Sequence, residues 1–163
     1  MTATAKTSLA RDHAITTALA YLGIPYIWGG DDPSGFDCSG FVIECLKSAG
    51  ILTGVVDYTA EQLRASLIGN VISAPRRGAL QFLLGPAGRA YHVVICLDEY
   101  FQIGASGGTE KTATSADAWR QNAYIKIRPI SDHRRSIFID PFREEKEEKP
   151  EKADSIPSLS ARG

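Results

Sequence analysis

A cysteine, Cys38, stands where a glycine-rich loop turns into an apolar segment. Asp37 is the residue type that caps a helix N-terminus, so Cys38 would lie in the first turn, among unpaired N–H groups. That setting favours the thiolate and lowers a cysteine pKa below its usual value of about 8.5. The position therefore suits a cysteine nucleophile. A helix from about Cys38 to Ala49 is predicted by apolar residues at i, i+3 and i+4 spacing: Phe41, Val42, Cys45, Leu46 and Ala49.

A cysteine nucleophile needs a base within hydrogen-bond reach, and the chain has three histidines. His13 falls in a predicted helix and His133 in a charged segment, so both are expected at the surface. His92 begins a predicted strand and shares one face of it with Val94 and Cys96. If that face meets the predicted helix, imidazole and thiol can approach. The alternative is a buried core histidine beside a structural cysteine.

The remaining pattern is helical in the first half of the chain and strand-forming in the second. This order predicts an α+β fold in which N-terminal helices pack on an antiparallel sheet of about five strands. Asp98-Glu99 is short enough to form a hairpin turn between two of the strands. The predicted helices are Ser8–Leu22, Cys38–Ala49, a short one opened by the capping box at Thr59, and Ser115–Gln121. The predicted strands are Ala79–Leu84, Tyr91–Leu97, Tyr100–Ala105, Ala123–Arg128 and Ile137–Ile139.

Composition predicts one catalytic domain over residues 1–142 and a disordered, charged tail over residues 143–163, which lack aromatic residues. The formal net charge of −1 gives no electrostatic case for nucleic acid or an anionic membrane surface. Three cysteines cannot all pair, and none has zinc-site spacing, so neither metal nor cofactor is expected. No signal peptide or membrane-spanning run is predicted.

The stretch PYIWGGDDPSGFDCSGFV, residues 25–42, resembles the signature of the NlpC family, papain-like bacterial cell-wall cysteine endopeptidases. Residues 77–82 resemble a further strand of that family, with Ala79 in place of its usual acid. Tyr91-His92-Val93-Val94-Ile95 resembles the family's S-H-V-G-I strand. The similarity covers roughly Leu9 to Arg128. It implies a papain-like fold with Cys38 as nucleophile and His92 as base.

The resemblance also implies roles for residues around the nucleophile. The hydroxyl of Tyr26 and the backbone N–H of Cys38 would stabilise the oxyanion. Asp37 would cap the helix and orient its neighbours, and Ser39 would flank the substrate cleft. Gly29 would line that cleft.

The third catalytic position departs from the family pattern. The family places a polar residue, most often histidine, twelve residues after the base, and that position here is Gly104. Gln102 shares the face of Gly104, and its side-chain carbonyl is the expected acceptor for the imidazole N–H of His92. A backbone carbonyl, a water molecule or Asp98 are the alternatives.

The implied reaction is hydrolysis of an amide bond in peptidoglycan stem peptides, between D-γ-glutamyl and a diamino acid, through a thioester acyl-enzyme. The expected setting is a phage tail-associated or lytic enzyme, in the virion or the host cytoplasm, with other phage tail proteins as partners. Two alternatives remain. One is a catalytically silent tail-assembly or binding module on the same fold, and the other is an amidase or acyltransferase acting on a non-wall substrate.

Overall fold

The computed structural model describes residues 2–130 and 135–142 and has an α+β architecture. His133 and the predicted tail lie outside the described residues. The helices are α1 (Ala3–Ala20), α2 (Cys38–Ser48), α3 (Ala60–Ser66) and α4 (Ser115–Gln121), with a 3-10 turn at Ile68–Asn70.

The strands form one antiparallel sheet of six strands and a separate two-stranded hairpin in the loop before α2. The sheet order is β3-β8-β4-β5-β6-β7, so β5 lies inside the sheet between β4 and β6. The hairpin pairs β1 (Asp31–Asp32) with β2 (Gly35–Phe36). The sheet strands are β3 (Val71–Ile72), β4 (Leu80–Leu84), β5 (Ala90–Cys96), β6 (Phe101–Ser106), β7 (Tyr124–Pro129) and β8 (Ser136–Ile139).

The predicted α+β fold with an antiparallel sheet is confirmed, and α4 has the predicted bounds. The sheet has six strands rather than about five, because Val71–Ile72 pairs with β8. Two residues are too few to show the alternating pattern that predicts a strand. The β1–β2 hairpin was missed for the same reason.

The core lies between α2 and one face of the sheet. Phe41, Val42 and Leu46 of α2 are buried in the same apolar cluster as Val93 and Ile95 of β5. Burying an aromatic or aliphatic side chain of this size contributes roughly 1.5–3 kcal/mol. This packing fixes the start of α2 against β5. A second, smaller buried cluster holds Ala79, Cys96 and Phe138.

Helix α1 is held to the end of the described chain by one buried carboxylate. The Arg11 guanidinium donates two hydrogen bonds to Asp140, at 3.2 and 3.1 Å, and Arg76 pairs with the same carboxylate. The side chain of Asp140 is fully buried. We call Asp140, Arg11 and Arg76 the Asp140 cluster. In residues 2–130 and 135–142, no helix combines the length and apolar character needed to cross a membrane.

Candidate active site

Helix α2 begins at Cys38 because Asp37 caps it. Asp37 Oδ1 accepts from the backbone N–H of Gly40 at 2.8 Å and from the hydroxyl of Ser39 at 3.0 Å. Asp37 Oδ2 accepts from the N–H of Gly29 at 3.2 Å. One carboxylate therefore joins the helix start to the preceding loop, as its residue type predicts.

The loop lies directly against the first turn of α2. A Cβ atom at Gly40 would come within 2.2 Å of the carbonyl oxygen of Gly30, so no side chain fits at that position. The Gly30 carbonyl also accepts from the N–H of Asp37 at 2.9 Å. The glycine two residues after Cys38 is therefore required for the loop to approach the helix start.

The thiol of Cys38 is nearly buried, and its residue is 9% exposed. Burial and the charge of Asp37 raise the pKa of the thiol to about 11, although the nearby backbone N–H groups of Val93, Ser39 and Cys38 favour the thiolate and oppose that rise. The sequence-based expectation of a lowered pKa is therefore wrong. The helix N-terminus acts in the expected direction, but the loss of solvation outweighs it.

Strand β5 carries His92 into the lining of the cleft that also holds this thiol. The strand start is fixed by α3, where Glu61 accepts from the N–H of Ala90 at 2.7 Å. Helix α2 packs on the β5 face that holds Val93 and Ile95, not on the face of His92. Imidazole and thiol nevertheless line the same cleft, and Val93, the residue next to His92, has a backbone N–H close enough to Cys38 to favour its thiolate.

His92 is uncharged at neutral pH. Burial, and next the positive charge of Arg128, lower the pKa of its imidazole to about 4. Its Nε2 atom lies 3.3 Å from the hydroxyl oxygen of Ser106 on β6. Sequence reasoning missed Ser106. The signal that could have found it is the strand register, which depends on the length of the β5–β6 turn.

The structure does not contain the expected hydrogen bond between Gln102 and His92. The Gln102 amide nitrogen lies 3.5 Å from the carbonyl oxygen of Pro129, and its side-chain oxygen has no hydrogen-bond partner among the described residues. Gln102 pairs with Cys96 across the strands, not with His92. Asp98, one of the alternatives, accepts instead from the N–H groups of Tyr100 and Phe101 in the β5–β6 turn.

The other residues implied by the resemblance separate into two groups. Tyr26, Asp37 and Ser39 line the cleft with Cys38, whereas Gly29 lies outside the residues that line it. Burial, and next the negative charge that Cys38 carries as a thiolate and that of Asp37, raise the pKa of the Tyr26 phenol, so its hydroxyl stays protonated. A protonated phenol is available as a hydrogen-bond donor.

The cleft has a volume of about 720 Å³, enough for part of a peptide. Its lining carries charges of both signs, those of Asp37, Glu110 and Arg128. Trp28 and Tyr91 are the exposed aromatic residues in its lining. Within the described part of the chain, no group of three or more His, Cys, Asp or Glu side chains is placed to hold a metal ion.

Comparison with known proteins identifies the family. The model of the NlpC/P60 family matches residues 23–128, which include every cleft residue named above except Pro129. The chain belongs to the NlpC/P60 family, a family of cell-wall endopeptidases.

Two curated relatives illustrate the match. The chain is 44% identical over 85 residues to Protein P54 of Enterococcus faecium, across 51% of this chain and 16% of that protein. It is 33% identical over 110 residues to dipeptidyl-peptidase 6 of Lysinibacillus sphaericus, across 66% of this chain and 37% of that protein. The chain thus spans less than two fifths of the length of either relative.

Solved structures show the same fold. The NlpC/p60 domain of the peptidoglycan hydrolase SagA is 29% identical, with a TM-score of 0.57 and coverage of 79% of this chain and 97% of that domain. The peptidoglycan hydrolase RipB of Mycobacterium tuberculosis is 24% identical, with a TM-score of 0.63 over 86% of this chain and 68% of RipB. The papain-like fold implied by the sequence is confirmed.

Proposed function

We propose that this domain hydrolyses an amide bond in peptidoglycan stem peptides, with Cys38 as nucleophile and His92 as general base and acid. The observation that carries the proposal is the cleft itself, whose lining includes both the Cys38 thiol at a capped helix start and the His92 imidazole on a central strand. A relative of Bacillus cereus, 52% identical over 42 residues, is named a gamma-D-glutamyl-L-lysine dipeptidyl-peptidase, which suggests the bond.

The first half-reaction forms a thioester. His92 takes the proton of the Cys38 thiol as the sulfur attacks the carbonyl carbon of the scissile amide. The resulting imidazolium gives that proton to the nitrogen of the leaving amine, and the C–N bond breaks. Both groups start uncharged, because burial lowers the pKa of His92 and raises that of Cys38. The proton therefore moves within the pair during attack.

The second half-reaction releases the acyl group. His92 removes a proton from a water molecule, whose oxygen attacks the thioester carbon. The C–S bond breaks, the sulfur recovers the proton from the imidazolium, and the product is a carboxylic acid. Cys38 returns to its neutral thiol.

The negative charge on the carbonyl oxygen needs donors in both steps. Two are available at the cleft: the backbone N–H of Cys38 in the first turn of α2, and the hydroxyl of Tyr26. Burial keeps the Tyr26 phenol protonated, which supports its role as a donor. We expect Tyr26→Phe to lower kcat by 10²–10³-fold, as for other oxyanion donors.

Digestion of purified peptidoglycan tests the reaction. Wild type should release fragments with a new amine and a new carboxyl group, detected by mass spectrometry. Cys38→Ser should abolish turnover while changing the free energy of unfolding by no more than about 1–2 kcal/mol. Cys96→Ala is the matched control, because Cys96 is buried in the second cluster, away from the cleft. Turnover in Cys38→Ser at the wild-type rate would remove Cys38 from the mechanism.

The D-γ-glutamyl–diamino acid bond is tested with a matched pair of synthetic tetrapeptides. One carries the γ-linked D-glutamyl residue and the other the α-linked L-glutamyl residue, with the same diamino acid. We expect cleavage of the first only. Equal cleavage of both would support the alternative, an amidase with a non-wall substrate.

The silent binding module is the second candidate, and the uncharged thiol favours it. A thiol with a pKa of about 11 has little thiolate at neutral pH. Labelling with iodoacetamide separates the two. A catalytic pair predicts that Cys38 reacts faster than Cys45 and Cys96, and that His92→Gln slows it. A binding module predicts slow labelling of all three cysteines.

Residues 1–142 are proposed as the whole catalytic unit. A chain ending at Phe142 should cleave peptidoglycan at the rate of the full chain. The phage-borne setting also stays a prediction. Antibodies against the chain should detect it in purified virions of a phage that encodes it.

A further inference from the structure

The side chain of Ser106 contacts the Nε2 atom of His92, the proposed general base. Its hydroxyl oxygen lies 3.3 Å from His92 Nε2, within hydrogen-bond distance. Ser106 is the last residue of β6, is half-buried and lines the cleft. A serine hydroxyl can accept a hydrogen bond, so it can pair with the Nε2–H of a neutral imidazole.

The strand register explains why so short a side chain reaches the imidazole. Strands β5 and β6 pair Ile95 with Ile103 and Cys96 with Gln102. Continued in the same register, His92 lies directly opposite Ser106. Directly opposed residues have Cβ atoms about 4.5–5.5 Å apart, which a serine hydroxyl can span.

The two neighbouring positions on the same face of β6 cannot take this role. A Cβ atom at Gly104 would come within 2.5 Å of Val94 Cγ1, so the Val94 side chain occupies the space of any side chain at 104. Gln102 is four residues from Ser106, about 13 Å along the strand, and its amide contacts Pro129 instead.

We infer that Ser106 is the positioning residue of His92: its hydroxyl accepts from the Nε2–H of the neutral imidazole, which leaves the Nδ1 lone pair free to take the thiol proton. The inference rests on the proposed roles of Cys38 and His92. A neutral hydroxyl fixes the tautomer and the ring orientation without adding a negative charge to the cleft. A carboxylate there would favour the imidazolium.

Imidazole 15N chemical shifts test the hydrogen bond without requiring activity. In wild type, His92 should show a protonated Nε2 and an unprotonated Nδ1 at pH 7, with its signals assigned by their loss in His92→Gln. Ser106→Ala should give a mixture of the two tautomers, and Ser106→Thr, which keeps the hydroxyl, should restore the wild-type spectrum. A wild-type spectrum in Ser106→Ala overturns the inference.

Steady-state kinetics then test whether this contact contributes to the rate. Ser106→Ala should lower kcat about tenfold with KM unchanged, and Ser106→Thr should recover most of the rate. Ser66→Ala, on α3 outside the cleft, is the matched control. A kcat within twofold of wild type in Ser106→Ala, or a larger loss in Gln102→Ala, overturns the inference. A wild-type protein that cleaves no peptide but shows the tautomer change would overturn the proposed function and support the contact.

Discussion

Ionisable side chains are buried in two regions of the molecule, and they are charged in one region and uncharged in the other. In the Asp140 cluster, a fully buried carboxylate receives hydrogen bonds from Arg11 and Arg76 and from the N–H of Phe142. Burial alone would raise the pKa of Asp140, but these hydrogen bonds and the charge of Arg11 lower it overall. The carboxylate therefore stays charged.

In the cleft, no charged side chain is among the causes that favour the charged form of Cys38 or of His92. Burial raises the pKa of Cys38 to about 11 and lowers that of His92 to about 4, and the charges of Asp37 and Arg128 shift the two pKa values further in the same directions. Both side chains are uncharged at pH 7. The Asp140 cluster therefore holds a charge that joins α1 to the end of the sheet, whereas the cleft holds two neutral groups, as the proposed proton transfer requires.

The largest expected effect comes from breaking the Asp140 cluster. Asp140→Asn leaves two arginines without their carboxylate, so the free energy of unfolding should fall by about 3–5 kcal/mol. Chemical denaturation measures it. The matched control is Asp12→Asn, because Asp12 pairs with Arg77 at the surface, where the side chains are 58% and 50% exposed. That change should cost less than about 1 kcal/mol. Equal losses in the two variants would contradict the comparison.

Acid should destabilise the protein through His92. The ordinary pKa of histidine is about 6.5, so between pH 6.5 and 4 the unfolded chain binds more protons than the folded one. The free energy of unfolding therefore falls as the pH falls through this window, by on the order of 2–3 kcal/mol. Denaturation at a series of pH values measures the slope.

His92→Gln should flatten that slope, whereas His13→Gln, an exposed change on α1, should leave it unchanged. Carboxylates whose pKa is lowered, Asp140 among them, cost the protein stability only when they bind protons, at a pH below this window. A slope that persists in His92→Gln would mean that the imidazole titrates normally in the folded protein.

The sequence allowed the start of α2 to be predicted because its signals are local. Asp37 caps the helix through Gly40, three residues away, and this contact depends on little else. The pKa of Cys38 could not be predicted, because it depends on burial by β5, more than 50 residues later in the chain. The backbone N–H groups at the helix start lower this pKa, but by less than burial raises it.

The partner of His92 could not be predicted because it depends on one residue in a turn. A two-residue turn at Asp98-Glu99 would place His92 opposite Ala105. In the structure, Asp98 accepts from both Tyr100 and Phe101, and the N–H of Leu97 donates to the Phe101 carbonyl, which makes the turn one residue longer. The longer turn places Ser106 opposite His92, and every side chain of β6 shifts with it.

A methyl group at Gly104 tests how tightly β5 and β6 pack against each other. Gly104→Ala places a Cβ atom within 2.5 Å of Val94 Cγ1, so we expect the free energy of unfolding to fall by about 1–3 kcal/mol. The double variant with Val94→Ala should recover part of this loss. A double-mutant cycle measured by denaturation gives the coupling. Additive effects would show that Val94 does not fill the space beside Gly104.

The smallest expected effect concerns the positive charge beside the base. Arg128 lines the cleft and is the second cause, after burial, of the low pKa of His92. Arg128→Gln removes a charge that disfavours the imidazolium, so the pKa of His92 should rise, though by less than burial lowers it. A titration of the His92 signals by NMR measures the change.

The partly buried cation Lys126, on the same strand, is the matched comparison, because it is not among the causes of the low pKa of His92. Lys126→Gln should leave the pKa of His92 where it is. Because Arg128 is exposed, its effect should also weaken as salt is added, whereas the effect of burial should not. If Arg128→Gln leaves the pKa of His92 unchanged at low salt, burial alone keeps the imidazole uncharged. The two regions then differ in one respect: loss of solvation sets the charge in the cleft, and charge pairing sets it in the Asp140 cluster.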